Sequence, residues 1–290
     1  LIAAHEFNVI TGFCLFTFVW QLTKRTIRFM QLFLFVLLLS IAVIVIIKMK
    51  KKKQHLAESL IPVDEMDSQL AQHVVFYQQL TTSEKEMFRQ RAQHFLDTTI
   101  ITPVKEVIIT HLDKLYVASS AIIPIFHFKD WAYNNLDEVL IYPGTFTKDF
   151  DIEDEERNVL GMVGDGAMHR MMILSLPSLR AGFEAGRASN TGIHEFVHLL
   201  DKADGATDGV PEYLIPKDLV RPWIRFMHQE IHSIRNGESD LNPYAGTNEA
   251  EFFAVISEYF FQKPAFLQEH HPELYNILVK TYGTNEPIGS

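Results

Sequence analysis

Two histidines and a glutamate stand at a spacing suited to metal-assisted hydrolysis. The stretch Thr191-Gly192-Ile193-His194-Glu195-Phe196-Val197-His198-Leu199-Leu200-Asp201 contains the pattern HExxH. Histidines four residues apart lie one turn apart on the same helix face, where both imidazoles can reach a single zinc ion. Glu195 sits beside them without being a ligand, placed to take a proton from a zinc-bound water. Zinc lowers the pKa of that water and polarises a scissile carbonyl, so peptide hydrolysis needs no protein nucleophile. The expectation is one Zn2+ per chain, bound by His194, His198 and a third protein group.

A catalytic zinc takes three protein ligands and keeps one position open. In the longer pattern HExxHxxGxxH the third ligand follows a glycine turn. Here those two positions are Asp201 and Asp204, so the turn fails, and Asp204 remains a ligand only by spacing. Glu251, on a separate downstream helix, is the stronger candidate. Across residues 247–261, Glu251, Val255 and Glu258 share one helix face while Phe252, Phe253, Ile256, Tyr259 and Phe260 fill the others. A helix this apolar must give Glu251 and Glu258 partners, either the metal site or buried arginines. Asp201 shares the histidines' face. It either accepts a hydrogen bond from a ligand histidine's second nitrogen or ends the helix in solvent. His228 and His232 are also four apart but lack a partnering acid, and His270-His271-Pro272 reads as a surface turn.

The elements that must hold these groups are mostly helical. Apolar spacing predicts helices over 190–201, 217–235, 247–262 and 272–281, the first capped by Ser189, Asn190 or Thr191. Upstream, a helix is expected over 66–80. Another runs from Ser83, with Glu86 completing a capping box, to about Asp97. Val104 to Thr110 reads as β, Asp113 to Ile123 as helix, and Glu138 to Tyr142 and Met171 to Leu176 as strands. The acidic run Asp149 to Glu156 reads as a solvated loop or hairpin arm. The fold class is therefore α+β, mainly helical with a small sheet.

The N-terminal part differs in kind. Of the 290 residues, Phe29 to Ile47 include no charged side chain, and Lys48, Lys50, Lys51, Lys52 and Lys53 follow at once. That run is close to the length of a transmembrane helix. The positive-inside rule then keeps the following domain in the cytoplasm. The expected protein is single-pass in the inner (cytoplasmic) membrane, touching the lipid bilayer through residues 29–47. Residues 1–28 are expected to be an upstream or non-native segment before a natural start at Met30. Residues 29–53 then form the anchor with its lysine collar, 54–65 a linker and 66–285 the catalytic domain. The one cysteine, Cys14, excludes a disulfide framework or a cysteine metal site within the chain. The net charge of −10, with the basic residues concentrated beside the apolar run, argues against nucleic acid as a partner.

Several separated stretches carry a resemblance. They are His194 to Asp201 (HEFVHLLD), Asn242-Pro243-Tyr244-Ala245, Asn248 to Phe261 (NEAEFFAVISEYFF), and Ile123-Pro124-Ile125-Phe126 with Trp131 and Leu136-Asp137-Glu138-Val139. Together they resemble the Mlc titration factor A family, zincin-type metallopeptidases of peptidase family M90 named for sequestering a glucose-responsive transcriptional repressor. The resemblance spans roughly residues 60–283 and implies a zincin-like domain, distantly similar to the anthrax lethal factor catalytic domain. It implies zinc on His194, His198 and Glu251, with Glu195 as general base and acid. It also implies that the Tyr244 hydroxyl faces the oxyanion, where a fixed donor lowers the barrier. Glu258 and Asp201 are expected to support the ligands from behind. Similar zincins pair an extended substrate with an edge strand above the metal, a role that position gives to Met171–Leu176. Two functions follow as expectations. One is a membrane-anchored zinc peptidase acting on peptides or proteins. The other is a binding protein that sequesters a regulatory protein partner on the same scaffold.

Overall fold

The computed structural model of the chain describes residues 33–47, 58–128, 131–146, 160–163 and 169–283, with Met30, residues 49–50 and residues 54–56. The chain divides into two units, Leu1–Glu58 and Ser59–Ser290. Within the first, residues 33–47 are helical and all of them are exposed. No helix among the described residues is long and apolar enough to cross a membrane. The expected span begins at residue 29, and residues 29, 31 and 32 lie outside the described part. So do residues 1–28 and the acidic run Asp149–Glu156.

The second unit starts inside the stretch expected to be a linker. Ser59 donates to Asp97 Oδ1 at 2.7 Å and Ile61 is buried, so this segment is seated on the domain. Helix α1 (Val63–His73) follows, then α2 (Val75–Gln79). The single helix expected over 66–80 is interrupted at Val74, a buried β-branched residue in extended conformation. Helix α3 (Thr82–Thr98) is capped by Thr81 with Glu84, not by Ser83 with Glu86. Both pairs have capping-box spacing, and the upstream one wins because it adds residues to the helix.

Strand β1 (Ile100–Pro103) ends where residues 104–110 were expected to be β, and those residues are irregular. Lys105 turns the chain with φ 58°, and Val107 and Ile109 use their bulk against the core instead. Helix α4 (His111–Ile125) is capped by Thr110 and Asp113 and is buried along most of its length. Then come β2 (Glu138–Tyr142), β3 (Gly161–Val163), β4 (Met171–Ser175) and the short α5 (Leu176–Ala181).

The four strands are ordered β1-β2-β4-β3, with β1, β2 and β4 parallel and β3 antiparallel to β4. Met171–Ser175 is thus interior, which corrects the expectation that this segment is the edge strand. Met172, Ile173, Leu174 and Ser175 are all buried, as an interior strand covered on both faces requires. Gly161–Val163 is the edge on that side.

The rest is helical: α6 (Thr191–Asp201), α7 (Val220–Arg235), α8 (Glu249–Gln262), α9 (Pro264–His270) and α10 (Pro272–Thr281). Helix α6 packs between α4 and α8. Phe196 meets Phe95 and Tyr133 edge-on, with ring centroids at 5.6 and 5.0 Å, and Phe252 and Phe253 bracket Trp223. Each such ring contributes about 2–3 kcal/mol through its burial. The α+β class with a small sheet describes this unit.

Candidate metal centre

Two asparagines aim the helices that carry the site. Asn190 caps α6, its side chain accepting from the Ile193 amide at 3.0 Å and donating to Gly182 O at 2.9 Å. Asn248 caps α8, accepting from the Glu251 amide at 2.9 Å, which places Glu251 in the first turn. A third bond ties the helices together: the Asn190 amide donates to Glu258 Oε2 at 2.6 Å.

That packing brings three side chains to one point. His194 Nε2 lies 3.1 Å from His198 Nε2 and 3.0 Å from Glu251 Oε2, and His198 Nε2 lies 3.5 Å from the same oxygen. Among the described residues these three form the one group whose ligand atoms all lie within 4.8 Å of one another. Groups bound tetrahedrally at zinc's usual 2.0–2.1 Å stand about 3.3 Å apart, so the triangle fits one ion. Two imidazoles and a carboxylate are a donor set that suits zinc.

The electrostatics also fit a cation. Glu195, Glu251 and Glu258 surround two imidazoles in a largely buried site. Burial disfavours a charged His194, but its bonds to Glu251 and Glu258 outweigh that and raise its pKa to about 10. Burial pushes Glu251 up, yet its bonds from His194 and His198 hold it well below the usual carboxylate range. Burial raises Glu195, which lacks such a partner and is opposed only by the fields of the two histidines. Behind the site, His194 Nδ1 lies 2.7 Å from Glu258 Oε1, which fixes the ring with Nε2 facing the centre.

The profile of the glucose-regulated metallo-peptidase M90 family matches residues 47–283. The chain belongs to this family. Mlc titration factor A of Pectobacterium atrosepticum is 30% identical over 219 residues, covering 70% of this chain and 80% of that protein. Mlc titration factor A of Escherichia fergusonii is 30% identical over 222 residues, covering 71% and 81%. An uncharacterized Synechocystis protein is 29% identical over 226 residues, covering 73% and 81%.

Around this M90 centre lies a cleft of about 910 Å³, lined among others by Leu160 to Val163, Tyr244 and Thr247. Tyr244 stands on a short 3-10 turn (Pro243–Gly246), set by Asn242, whose side chain accepts from the Tyr244 amide at 3.0 Å. Its ring centroid is 6.0 Å from that of His194. Burial, then the charges of Glu251 and Glu195, push its pKa up to about 12.

Other expected groups lie elsewhere. Asp201 is fully buried and accepts from the Gly209 amide at 2.9 Å, and no hydrogen bond joins it to His194 or His198. This corrects its expected place behind a ligand histidine. The chain doubles back after α6, and Gly209, at φ 73°, offers its amide first. Burial raises the Asp201 carboxyl to about 6. Asp204 accepts from the Ala206 and Glu212 amides, which settles it in a turn rather than at the metal centre. Glu251 and Glu258 meet histidines, not arginines. His228 is 3.7 Å from Glu249, His232 contacts Asn236, and His270 and His271 bracket Asp240.

Sequence reasoning missed Gly161. A Cβ there would lie 2.6 Å from Cγ and Oε1 of Glu195, so only glycine lets β3 pass this close. No local signal marks it, because its partner is 34 positions away on another element. Asn248 was findable as a cap residue ahead of an apolar helix.

Proposed function

We propose that this chain is a zinc-dependent peptidase that hydrolyses peptide bonds in peptides or proteins. The observation that carries the reading is the convergence of His194, His198 and Glu251 on one point beside Glu195. When bound there, zinc supplies a Lewis acid that polarises a carbonyl and acidifies a water. Glu195 takes the proton from the attacking water and returns it to the leaving amine. Its burial raises its pKa toward the working range of such a base. Tyr244 stays protonated at neutral pH and donates its hydroxyl to the oxyanion as charge develops. Glu258 holds the His194 ring. Among the described residues β3 is the outer strand of the sheet, and its backbone groups would pair with an extended substrate and bring the scissile bond over the site.

The charge-free run over residues 29–47 and the lysines after it support a further part of the proposal. They tether the chain to the cytoplasmic membrane, with the catalytic domain on the cytoplasmic side.

A second reading draws on the relatives named Mlc titration factor A. By analogy, this chain would bind and sequester a regulatory protein, a role that needs no Glu195. Metal analysis and peptide-library hydrolysis by the purified full chain separate the two. The peptidase reading expects one zinc per chain, cleavage by the wild type, and no cleavage by E195Q with its zinc retained. Wild type and E195Q that both carry zinc and are equally inert would overturn it in favour of binding. Carbonate-washed membranes should retain the chain; recovery in the soluble fraction would sink the tether.

A further inference from the structure

Tyr244 can serve an oxyanion only if its hydroxyl is held in one place, yet its side chain is half exposed on the connection between α7 and α8. Two anchors flank it. After the tyrosine, Arg235 donates to Gly246 O at 2.7 Å and to Thr247 O at 3.0 Å. Before it stands Asp240, whose two carboxylate oxygens are each engaged: Oδ2 lies 2.8 Å from His270 Nδ1 and Oδ1 2.7 Å from His271 Nε2.

The two histidines sit at the corner between α9 and α10, where His271 caps both helices. The corner is braced: His270 stacks on Phe266 at 4.5 Å, and Phe266 stacks on Tyr259 of α8 at 5.6 Å. Asn242 lies two residues from Asp240, and its side chain accepts from the Tyr244 amide. Asp240, held at the helix corner by two hydrogen bonds, is thus two residues from the side chain that sets the Tyr244 turn. The cluster is not a second metal site, because one carboxylate is bracketed by the imidazoles and their ligand atoms do not converge on a point.

We propose that Asp240, clasped by His270 and His271, is a positioning residue that sets Tyr244 for oxyanion stabilisation. The inference rests on the reading of Tyr244 given above. A double-mutant cycle on the zinc-loaded full chain tests it, using D240A, Y244F and the double variant in peptide hydrolysis. D240A is expected to lower kcat about tenfold with KM and zinc content unchanged, because small misplacements of a catalytic group cost that much. In the Y244F background D240A should cost nothing further, and D240N, which keeps one acceptor, should recover part of the loss. An equal loss in both backgrounds, or none in either, would overturn the proposal.

Hydrogen exchange supplies a readout independent of activity. Amides of residues 241–247 should exchange about tenfold faster in D240A while α6 and α8 are unchanged. Unchanged exchange there would refute the clasp even in a chain that cleaves no peptide. If D240A fails to fold, D240N and H271Q carry the same comparison. A Y244F chain with full kcat and a loosened loop in D240A would mean that the clasp exists and the reading of Tyr244 is wrong.

Discussion

Gly161 and Glu195 touch across the junction of the sheet edge and the helix α6, and the contact leaves no room for a Cβ. Glu195 is buried, so it can yield only by moving its carboxylate off the cleft. G161A is therefore expected to lower kcat by about ten- to a hundredfold through a displaced base. Zinc content should not change, because the three atoms nearest to that position all belong to Glu195, which is not a ligand. Steady-state kinetics beside metal analysis decides it, and an unchanged kcat would show that Glu195 adjusts freely.

Glu258 serves two buried partners, the His194 ring and the Asn190 amide that starts α6. Replacing it by Gln leaves one acceptor for two donors. Metal affinity, measured by competition with a chromogenic chelator, should fall about 10- to 100-fold. The unsatisfied group should also cost about 1–3 kcal/mol in urea unfolding. Loss of stability with unaltered affinity would mean that Glu258 only joins the helices.

Asp113 offers a test by pH. Burial pushes this carboxyl up, but the bond from Arg180 and those from Thr110 prevail and hold it below the ordinary carboxylate range. A depressed folded pKa gives stability that is fully present above the unfolded value of about 3.9. That stability is lost as pH falls through the lower, folded value. D113N should thus be less stable than wild type at pH 7, by about 1–2 kcal/mol, since it also weakens the cap of α4. The difference should shrink as the solution is acidified below the carboxylate range. A gap of constant size at every pH would rule out the ion pair as its source.

What could be read along the chain was what short-range geometry controls. The i, i+4 pairing of His194 and His198 needs only one helical turn, and the helix that holds them starts at Asn190, one of the three caps considered. Glu138–Tyr142 was legible because an apolar strand bounded by turn signals needs no distant information. Glu251 was an open choice between metal and arginine until α8 was packed against α6.

The tertiary structure decided everything that depends on one element's distance from another. Local residues gave Asp201 two plausible fates, and the returning chain supplied a third in Gly209. Position in the chain alone gives Met171–Leu176 the role of an edge strand, since the residues of an apolar strand do not say where in the sheet it lies. Its place inside the sheet is set by β3, which pairs along it in antiparallel register. Gly161 carries no periodic or motif signal, and its importance exists only because β3 runs within contact of Glu195. Periodicity is a property of neighbouring residues and is written in the sequence order. The approach of separate elements is a property of the whole packed core, fixed only when all its side chains are in place.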